Sequence, residues 1–251
     1  MKIVILRGAG GEHGITALGC ADGRWVLVNV SATVAHELGS ADGAAFRRGL
    51  HDADVRALVL TDATVEHVGG LLGLRGGAPI DLYATPAVFE ELTTTLPVLP
   101  MLRHYCGVHW RVVPVAGDSR VAQFGVEGMP TLEFTAIATR NPLPPHAAER
   151  RAAVVGDSIV LAVRDRSTGQ RVFCAPGLAR IGATELAWMH EADCVLVDGA
   201  AAGGDGIAGG CVELLPQVAA RRKVVFGSPA QRNRLAELGI EVAYDGMEIE
   251  L

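Results

Sequence analysis

The chain has 251 residues, of which 49% are hydrophobic and only 5% aromatic, so a sizeable core of mainly aliphatic side chains is expected. The formal net charge is −6, and no basic stretch is long enough to follow a phosphate backbone, which argues against nucleic acid as a partner. The N-terminal apolar run is too short for a signal peptide, and no stretch approaches the roughly 20 apolar residues of a membrane span. These features predict a soluble cytoplasmic protein without a membrane partner.

The cysteines indicate the expected compartment, and the paired arginines indicate parts of the chain that face solvent. The five cysteines are scattered and form no Cys-x-x-Cys pair, which favours reduced, buried thiols over a disulfide framework or a zinc ribbon. Three Arg-Arg pairs occur at 47–48, 150–151 and 221–222. We interpret all three pairs as solvated turns or helix ends.

Short apolar runs rich in β-branched residues predict most of the strands. They cover residues 2–6, 25–30, 57–62, 80–85, 110–115, 132–139, 158–165, 171–175, 194–198, 223–227 and 241–245. The runs 158–165 and 171–175 flank a five-residue segment that contains a glycine, which predicts a β-hairpin.

Helices are predicted between some of these strands. One begins at Pro86, directly after Thr85, because proline suits the first helical position. A second spans 183–192 with Thr184 as a candidate N-cap. A third spans 229–238, with Ser228 before it and Gly239 after it.

This order of elements predicts the fold class. A hairpin in the middle and alternating strands and helices at the end favour α/β architecture with mixed sheets covered by helices. The segment 199–210 is rich in Gly and Ala and predicts a flexible loop, whereas 141–146 contains three prolines and predicts a stiffer one. No linker divides the chain, so a single domain over 1–251 is expected.

The segment from 57 to 72 carries the candidate chemistry. A buried strand ends near Leu60, a polar turn follows, and a helix starts near Val65. Asp62, Glu66 and His67 lie within six residues, and carboxylates with an imidazole suit Fe, Mn or Zn. A helix-capping Asp62 and a plain helix-face His67 are the structural alternatives.

The pattern T-x-x-x-x-x-H followed by G-G-L-L resembles the metallo-β-lactamase superfamily, whose loop reads H-x-H-x-D-H and holds one or two metals. At the matching positions this chain has Asp62, Thr64, Glu66 and His67. Only the last histidine of the pattern is retained. The resemblance therefore implies a depleted site without the two-metal arrangement of a superfamily hydrolase.

Within that superfamily, the chain resembles the coenzyme PQQ synthesis protein B family, whose loop is similar to T-D-A-x-x-D-H. Ordered similarities continue through the segments 23–31, 71–77, 82–88, 104–108, 173–178, 193–199 and 241–249. Three departures accompany them. The family's N-terminal Cys-x-Cys-x-x-Cys cluster, a histidine in the loop at 208–216, and a metal-binding histidine near Phe226 are all missing from the sequence.

The resemblance implies a metallo-β-lactamase-like αββα sandwich, with two mixed β-sheets flanked by helices. It also implies a metal-dependent hydroxylase of the Glu-Tyr-derived precursor of pyrroloquinoline quinone (PQQ), with Asp62, Glu66, His67 and Asp198 as metal ligands. Adjacent Glu66 and His67 diverge on a helix, so His146 on the proline-rich loop is a further candidate donor.

Several alternatives stay open. The metal is Fe(II) by resemblance, with Zn or Mn as alternatives, and a chain without metal is the other possibility. A non-catalytic binding or carrier protein for PQQ or its precursor is the second function class, and a paralogue in another modified-peptide pathway is the third. The expected partner is a small peptide-derived substrate, and a homo-oligomer is open.

Overall fold

The structure is a computed structural model that describes residues 1–7, 14–20, 23–38, 57–76, 79–198 and 211–251. Its strands in chain order are β1 (Lys2–Arg7), β2 (Ile15–Gly19), β3 (Trp25–Val28), β4 (Ala57–Val59), β5 (Ile80–Ala84), β6 (Val108–Val112), β7 (Val121–Gly125), β8 (Leu132–Ala138), β9 (Ile159–Asp165), β10 (Arg171–Ala175), β11 (Cys194–Asp198), β12 (Arg222–Phe226), β13 (Glu241–Val242) and β14 (Met247–Glu250).

Helices lie between these strands. They are α1 (Ala32–Leu38), α2 (Val65–Val68), α3 (Pro86–Thr94), α4 (Val98–Leu102), α5 (Pro145–Ala148), α6 (Ala183–His190), α7 (Cys211–Leu214) and α8 (Arg232–Glu237). Short 3-10 helices cover Leu71–Gly76, Leu215–Gln217 and Pro229–Gln231. None of the helices in the described ranges is long and apolar enough to cross a membrane.

The described strands form two sheets of seven. The first has the order β14-β1-β2-β3-β4-β5-β6, and the second has the order β13-β12-β11-β10-β9-β8-β7. In both sheets four neighbouring strands pair antiparallel, and the remaining neighbours pair parallel. Both sheets are therefore mixed, as the sequence predicts, and the predicted hairpin of β9 and β10 is confirmed.

Three apolar layers hold the sheets and helices together. The middle layer contains side chains of both sheets, including Ile3 and Val26 from the first and Phe134 and Phe226 from the second. One outer layer packs α1 and α3 on the first sheet, and the other packs α6 and α8 on the second. Most strands are buried on both faces, and successive side chains along them belong alternately to the middle layer and to an outer layer. Each sheet therefore lies between two layers, which is an αββα sandwich.

The predicted strands are all found, those at 171–175 and 194–198 with the predicted bounds and the others with different ones, and three further strands are missed. The predicted strand 57–62 ends at Val59, because the amide of Thr61 bonds the side chain of Asn29 and leaves the ladder. The strand predicted at 241–245 is only two residues long. β2, β7 and β14 are not predicted from the sequence: β7 alternates on an exposed edge, β14 has four residues, and β2 contains Ala17 and Gly19, residue types that are depleted in strands.

Helix ends show two confirmed caps and one wrong one. Ser228, before the helix predicted over 229–238, accepts from the amide of Ala230 through its Oγ at 3.3 Å. Thr85 caps α3, since its Oγ1 accepts from the amide of Val88 at 3.2 Å. Thr184 is not the N-cap of α6; Gly182 occupies that position, and its amide donates to Glu185 Oε2 at 2.9 Å. The helix predicted over 229–238 begins as a 3-10 turn and becomes α-helical at Arg232.

The interpretation of the arginine pairs as solvated is wrong for two arginines. Arg151 bonds buried acids, and Arg222 lies in β12 and pairs with Glu241. Their neighbours Arg150 and Arg221 are exposed, as expected, and the pair at 47–48 lies outside the described residues.

The cysteine prediction is confirmed for most of the described thiols. Cys106, Cys174 and Cys194 are buried, and Cys20 is half-buried. Burial raises the pKa of the Cys174 and Cys194 thiols to about 12, so both act as small apolar side chains. The Cys211 side chain and the loop predicted at 199–210 lie outside the part of the chain that the structure describes.

Candidate functional site

The carboxyl ends of strands from both sheets meet at one edge of the sandwich and form a cleft of about 260 Å³. Loops at such strand ends are common places for ligands. The lining residues are Asp62, Thr64, Glu66, His67, Asn141, Pro142, Leu143, Pro144, Pro145, Asp157, Ser158, Gly177, Ala179 and Asp198. The cleft therefore contains the four residues that the sequence predicts as metal ligands.

The floor of the cleft begins where β4 leaves its sheet. Asn29 is buried and has a positive φ of 64°, an uncommon conformation for a residue other than glycine. Its Nδ2 donates to Thr61 Oγ1 at 2.9 Å, and its Oδ1 accepts from the amide of Thr61 at 2.9 Å. The amide of Ile159 donates to the Thr61 carbonyl at 2.8 Å, so this turn also joins the two sheets.

Asp62 and His67 form a buried pair on this floor. His67 Nδ1 lies 2.9 Å from Asp62 Oδ1 and 2.8 Å from Oδ2. Asp62 Oδ1 also accepts from the amide and the hydroxyl of Thr64, at 2.8 and 2.7 Å. The Asp62 carboxylate thus accepts from the amide of Thr64, which occupies the N-cap position of α2, and the same carboxylate holds the His67 ring.

The pair favours its charged forms. Burial raises the pKa of the Asp62 carboxyl, but the charge and hydrogen bond of His67 and the bonds from Thr64 outweigh it, so the pKa lies below its ordinary value. Burial lowers the pKa of His67, but the charge and hydrogen bond of Asp62 outweigh it, and the charges of Asp198 and Glu66 add to the rise. The net pKa of His67 is therefore raised.

Gly177 lets the backbone approach this pair closely. Its φ is +69°, and a Cβ added there would lie 3.2 Å from His67 Cε1 and 3.6 Å from Asp62 Oδ2. Asn141 fixes the turn that carries Gly177. Asn141 Nδ2 donates to the Gly177 carbonyl at 2.8 Å and to Ser158 Oγ at 3.0 Å, and its Oδ1 accepts from the amide of Ala179 at 3.0 Å.

The remaining predicted donors are placed less closely. Glu66 is exposed at the rim of the cleft, and it diverges from buried His67 as the helix geometry predicts. Asp198 ends β11, is half-buried, and lines the cleft. His146 faces Glu91 instead, with its Nε2 3.6 Å from Glu91 Oε1.

Three wall residues were not predicted as site residues. Asn141 and Gly177 follow β8 and β10, and Ser158 precedes β9. The signal available in the sequence is position, because each lies in a polar or Gly/Pro-containing turn next to a predicted strand end. Asp157 and Ser158 form both a turn and part of the cleft wall.

The donor set indicates which metal site these residues suit. Across the part of the chain that the structure describes, no three His, Cys, Asp or Glu side chains form a group that could hold a metal ion. Because Asp62 occupies His67 Nδ1, the ring has Nε2 as its remaining donor atom, in the carboxylate–histidine arrangement that orients metal ligands. The cleft lining thus offers His67 Nε2 and the carboxylate of Asp198, and this set is too small for a two-metal site.

Comparison with known proteins identifies the family. The beta-lactamase superfamily domain matches residues 24–227. Coenzyme PQQ synthesis protein B of Cupriavidus necator is 37% identical, over 90% of this chain and 83% of the relative. The protein of the same name from Methylobacillus flagellatus is 34% identical, over 92% of this chain and 85% of the relative. This chain belongs to the coenzyme PQQ synthesis protein B family.

Solved structures confirm the fold of this PQQ synthesis protein B family member. The structure described as Zn(2+)-bound PqqB from Methylobacterium extorquens superposes with a TM-score of 0.78 and 21% identity, covering 100% of both chains. A diphosphatase of the PhnP family gives a TM-score of 0.68 at 13% identity, covering 100% of this chain and 97% of that one. The predicted metallo-β-lactamase-like fold is thereby confirmed.

Proposed function

We propose that this chain works in PQQ biosynthesis as a metal-dependent hydroxylase of the Glu-Tyr-derived precursor. The observation that supports this proposal most directly is the buried His67–Asp62 pair, which lines a cleft together with Asp198. Family membership supports the pathway. The zinc named for the Methylobacterium extorquens structure supports a metal, although the fold likeness does not say which metal this chain binds.

The charge of the cleft supports a bound cation. Its lining contains four carboxylates and one histidine, and no Lys or Arg is among the lining residues that the structure describes. A precursor made from glutamate and tyrosine brings carboxylates of its own, and like charges repel at short range. A metal ion bound between the carboxylates that line the cleft and those of the ligand would reduce that repulsion.

Each residue has a stated task in this proposal. His67 Nε2 and Asp198 would hold the ion, Asp62 fixes the His67 ring, and Glu66 lies at the rim of the cleft. Bound Fe(II) with open positions would supply the chemistry of dioxygen activation, with Zn or Mn as the alternative ions. Asn141 holds the turn at Gly177 and thereby shapes the space above the ring.

Metal analysis of the purified protein tests this proposal. We expect about one equivalent of Fe, Zn or Mn, or the same amount of Fe after anaerobic reconstitution with Fe(II), and we expect His67→Ala to lose it. His104→Ala is the matched control, because His104 is exposed and does not line the cleft. A wild-type chain that binds no metal after reconstitution, or a His67→Ala variant that keeps it, would contradict the proposal.

A non-catalytic carrier of PQQ or its precursor is the second candidate. The observation that favours it is the lack of a ready three-donor group among the described residues. Metal-free protein should then bind PQQ, and His67→Ala should leave that affinity within about twofold, well below the tenfold that corresponds to 1.4 kcal/mol. Metal-dependent PQQ binding would exclude this candidate.

Cytoplasmic location, the extent of the domain and the oligomeric state stay predictions.

A further inference from the structure

A partly buried ionic cluster lies beside the cleft and connects the two halves of the sandwich. We name it the Arg151 cluster, and it consists of Glu91, His146, Arg151 and Asp157. Glu91 belongs to α3, which follows β5 of the first sheet, whereas the other three lie between β8 and β9 of the second. Glu91 and Asp157 are buried, with 3% and 9% of their surface exposed.

Arg151 binds both acids at once. Its Nη2 and Nη1 donate to Asp157 Oδ1 and Oδ2 at 2.6 and 2.9 Å, a bidentate pair. Its Nη2 and Nε donate to Glu91 Oε2 at 3.1 and 3.3 Å. The planar guanidinium supplies enough donors in a fixed geometry for both carboxylates, which a lysine ammonium cannot match.

A second contact fastens the same segment to the first sheet's half. Thr85 Oγ1 donates to the Gly156 carbonyl at 2.6 Å. Gly156 has a φ of +98°, and a Cβ added there would lie 2.4 Å from the Val115 carbonyl oxygen. The backbone is therefore packed tightly here, and only glycine suits the position.

The fastened segment is also a wall of the cleft. We name residues 141–158 the wall loop; the lining includes 141–145 at its start and 157–158 at its end. Asp157 contributes to the lining and is held by Arg151 at the same time. Two buried atoms of the cluster, Glu91 Oε1 and His146 Nε2, lie 3.6 Å apart, and neither has a hydrogen-bond partner.

From these contacts we infer that Arg151 is a positioning residue, which sets the wall loop against α3 and so fixes the width of the cleft. The inference depends on the proposed function in one respect, because it takes the cleft as the place where the ligand binds. Removing the guanidinium leaves Glu91 buried without its cation, which is unfavourable. The wall loop then moves away from α3, while the His67–Asp62 floor keeps its own bonds.

The experiment compares Arg151→Met and Arg151→Lys with Arg150→Met, the exposed neighbour. The probes are backbone hydrogen exchange followed by mass spectrometry and calorimetric binding of PQQ to protein supplied with Zn(II). We expect Arg151→Met to speed exchange across 141–158 but not across 57–68, and to weaken PQQ binding about tenfold or more. Arg150→Met should change neither quantity.

Arg151→Lys keeps the positive charge and covers the case in which Arg151→Met does not fold. It should retain the wild-type melting temperature more closely and still weaken PQQ binding, because it cannot hold both carboxylates. A general loss of stability with unchanged PQQ affinity in both variants would overturn the inference, as would unchanged exchange in the wall loop. If the wild-type chain binds no PQQ, then PQQ is not a ligand of the cleft, and the exchange result alone decides the role of Arg151; the proposed function is decided separately, by the metal content of wild type and His67→Ala.

Discussion

His67 is the side chain on which the chemistry of the cleft depends, and Asp62 determines what its ring can do. The imidazole has two nitrogens, and the carboxylate of Asp62 holds Nδ1 at 2.8 Å. A ring fixed in this way presents one defined nitrogen to a ligand. Gly177 then decides how much room the ring has, because any Cβ there would reach His67 Cε1 at 3.2 Å.

Replacing Asp62 by Asn tests this pairing in metal-free protein. The pKa of His67 is raised above 6.5 chiefly because the Asp62 charge outweighs burial, so Asp62→Asn should lower that pKa. Stability from the imidazolium form is full below pH 6.5 and is lost as pH rises through the folded pKa. Nitrogen-detected NMR titration of His67 measures the change, and an unchanged titration would show that the pair is not coupled.

The same titration has a second limb at acid pH. The pKa of Asp62 lies below its ordinary value of 3.8, so the stability that the carboxylate contributes is present above pH 3.8 and is lost as pH falls through the folded pKa. Thr64→Val is a useful companion variant, because it removes one hydrogen bond to Asp62 Oδ1 but keeps the charge. It should change the His67 pKa less than Asp62→Asn does.

At the scale of single elements, the sequence predicts the features that depend on residues close together in the chain. Thr85 followed by Pro86 predicts the start of α3 correctly, because a cap and a preset φ act within a few residues. The sequence also indicates that Asp62, Glu66 and His67 belong to one turn. It does not predict that Glu66 faces solvent or that Arg151 is held by Glu91, since the contacts of Arg151 join residues 60 apart in the chain.

Thr85 offers an element-scale prediction, because its hydroxyl has two tasks. It accepts from the amide of Val88 at 3.2 Å and donates to the Gly156 carbonyl at 2.6 Å. We expect Thr85→Ala to lower the free energy of unfolding by about 2 kcal/mol, from a lost cap and a lost buried bond. Urea denaturation measures this change.

Thr94→Ala is the matched control for Thr85→Ala. Thr94 lies at the other end of α3 and is exposed, and its hydroxyl makes only local bonds, to the Glu90 carbonyl at 2.8 Å and to Thr95 Oγ1 at 3.5 Å. Its replacement should change the free energy of unfolding by less than about 0.5 kcal/mol. Equal effects of the two substitutions would mean that the contact between Thr85 and the wall loop contributes nothing.

At the scale of the whole molecule, the apolar pattern predicts mixed sheets but not their order. The antiparallel strands β1, β2 and β14 meet although β14 lies at the other end of the chain, and no local signal reports that pairing. β7 is missed because it is an edge strand with alternating exposed residues. Pairing between distant strands is predicted only through the family resemblance, because the resemblance implies the fold of the whole chain.

The core shared by the sheets leads to the last prediction, which bears on the expected single domain. Phe134 is fully buried between the sheets, and its ring lies 5.4 Å from that of Phe124. Phe134→Ala should destabilise the chain by about 3–5 kcal/mol, whereas Val154→Ala, at an exposed position, should cost less than about 0.5 kcal/mol.

Because both sheets contribute to this core, Phe134→Ala should move one common unfolding transition rather than that of the second sheet alone. Tryptophan fluorescence and far-ultraviolet circular dichroism are independent probes of that transition, since Trp25 lies in the first sheet and Trp188 lies in α6 on the second. Coincident curves that shift together indicate one cooperative unit. Two separated transitions, with only one of them moved by the substitution, would show that the halves fold separately, and the cleft between them would then depend more heavily on Arg151.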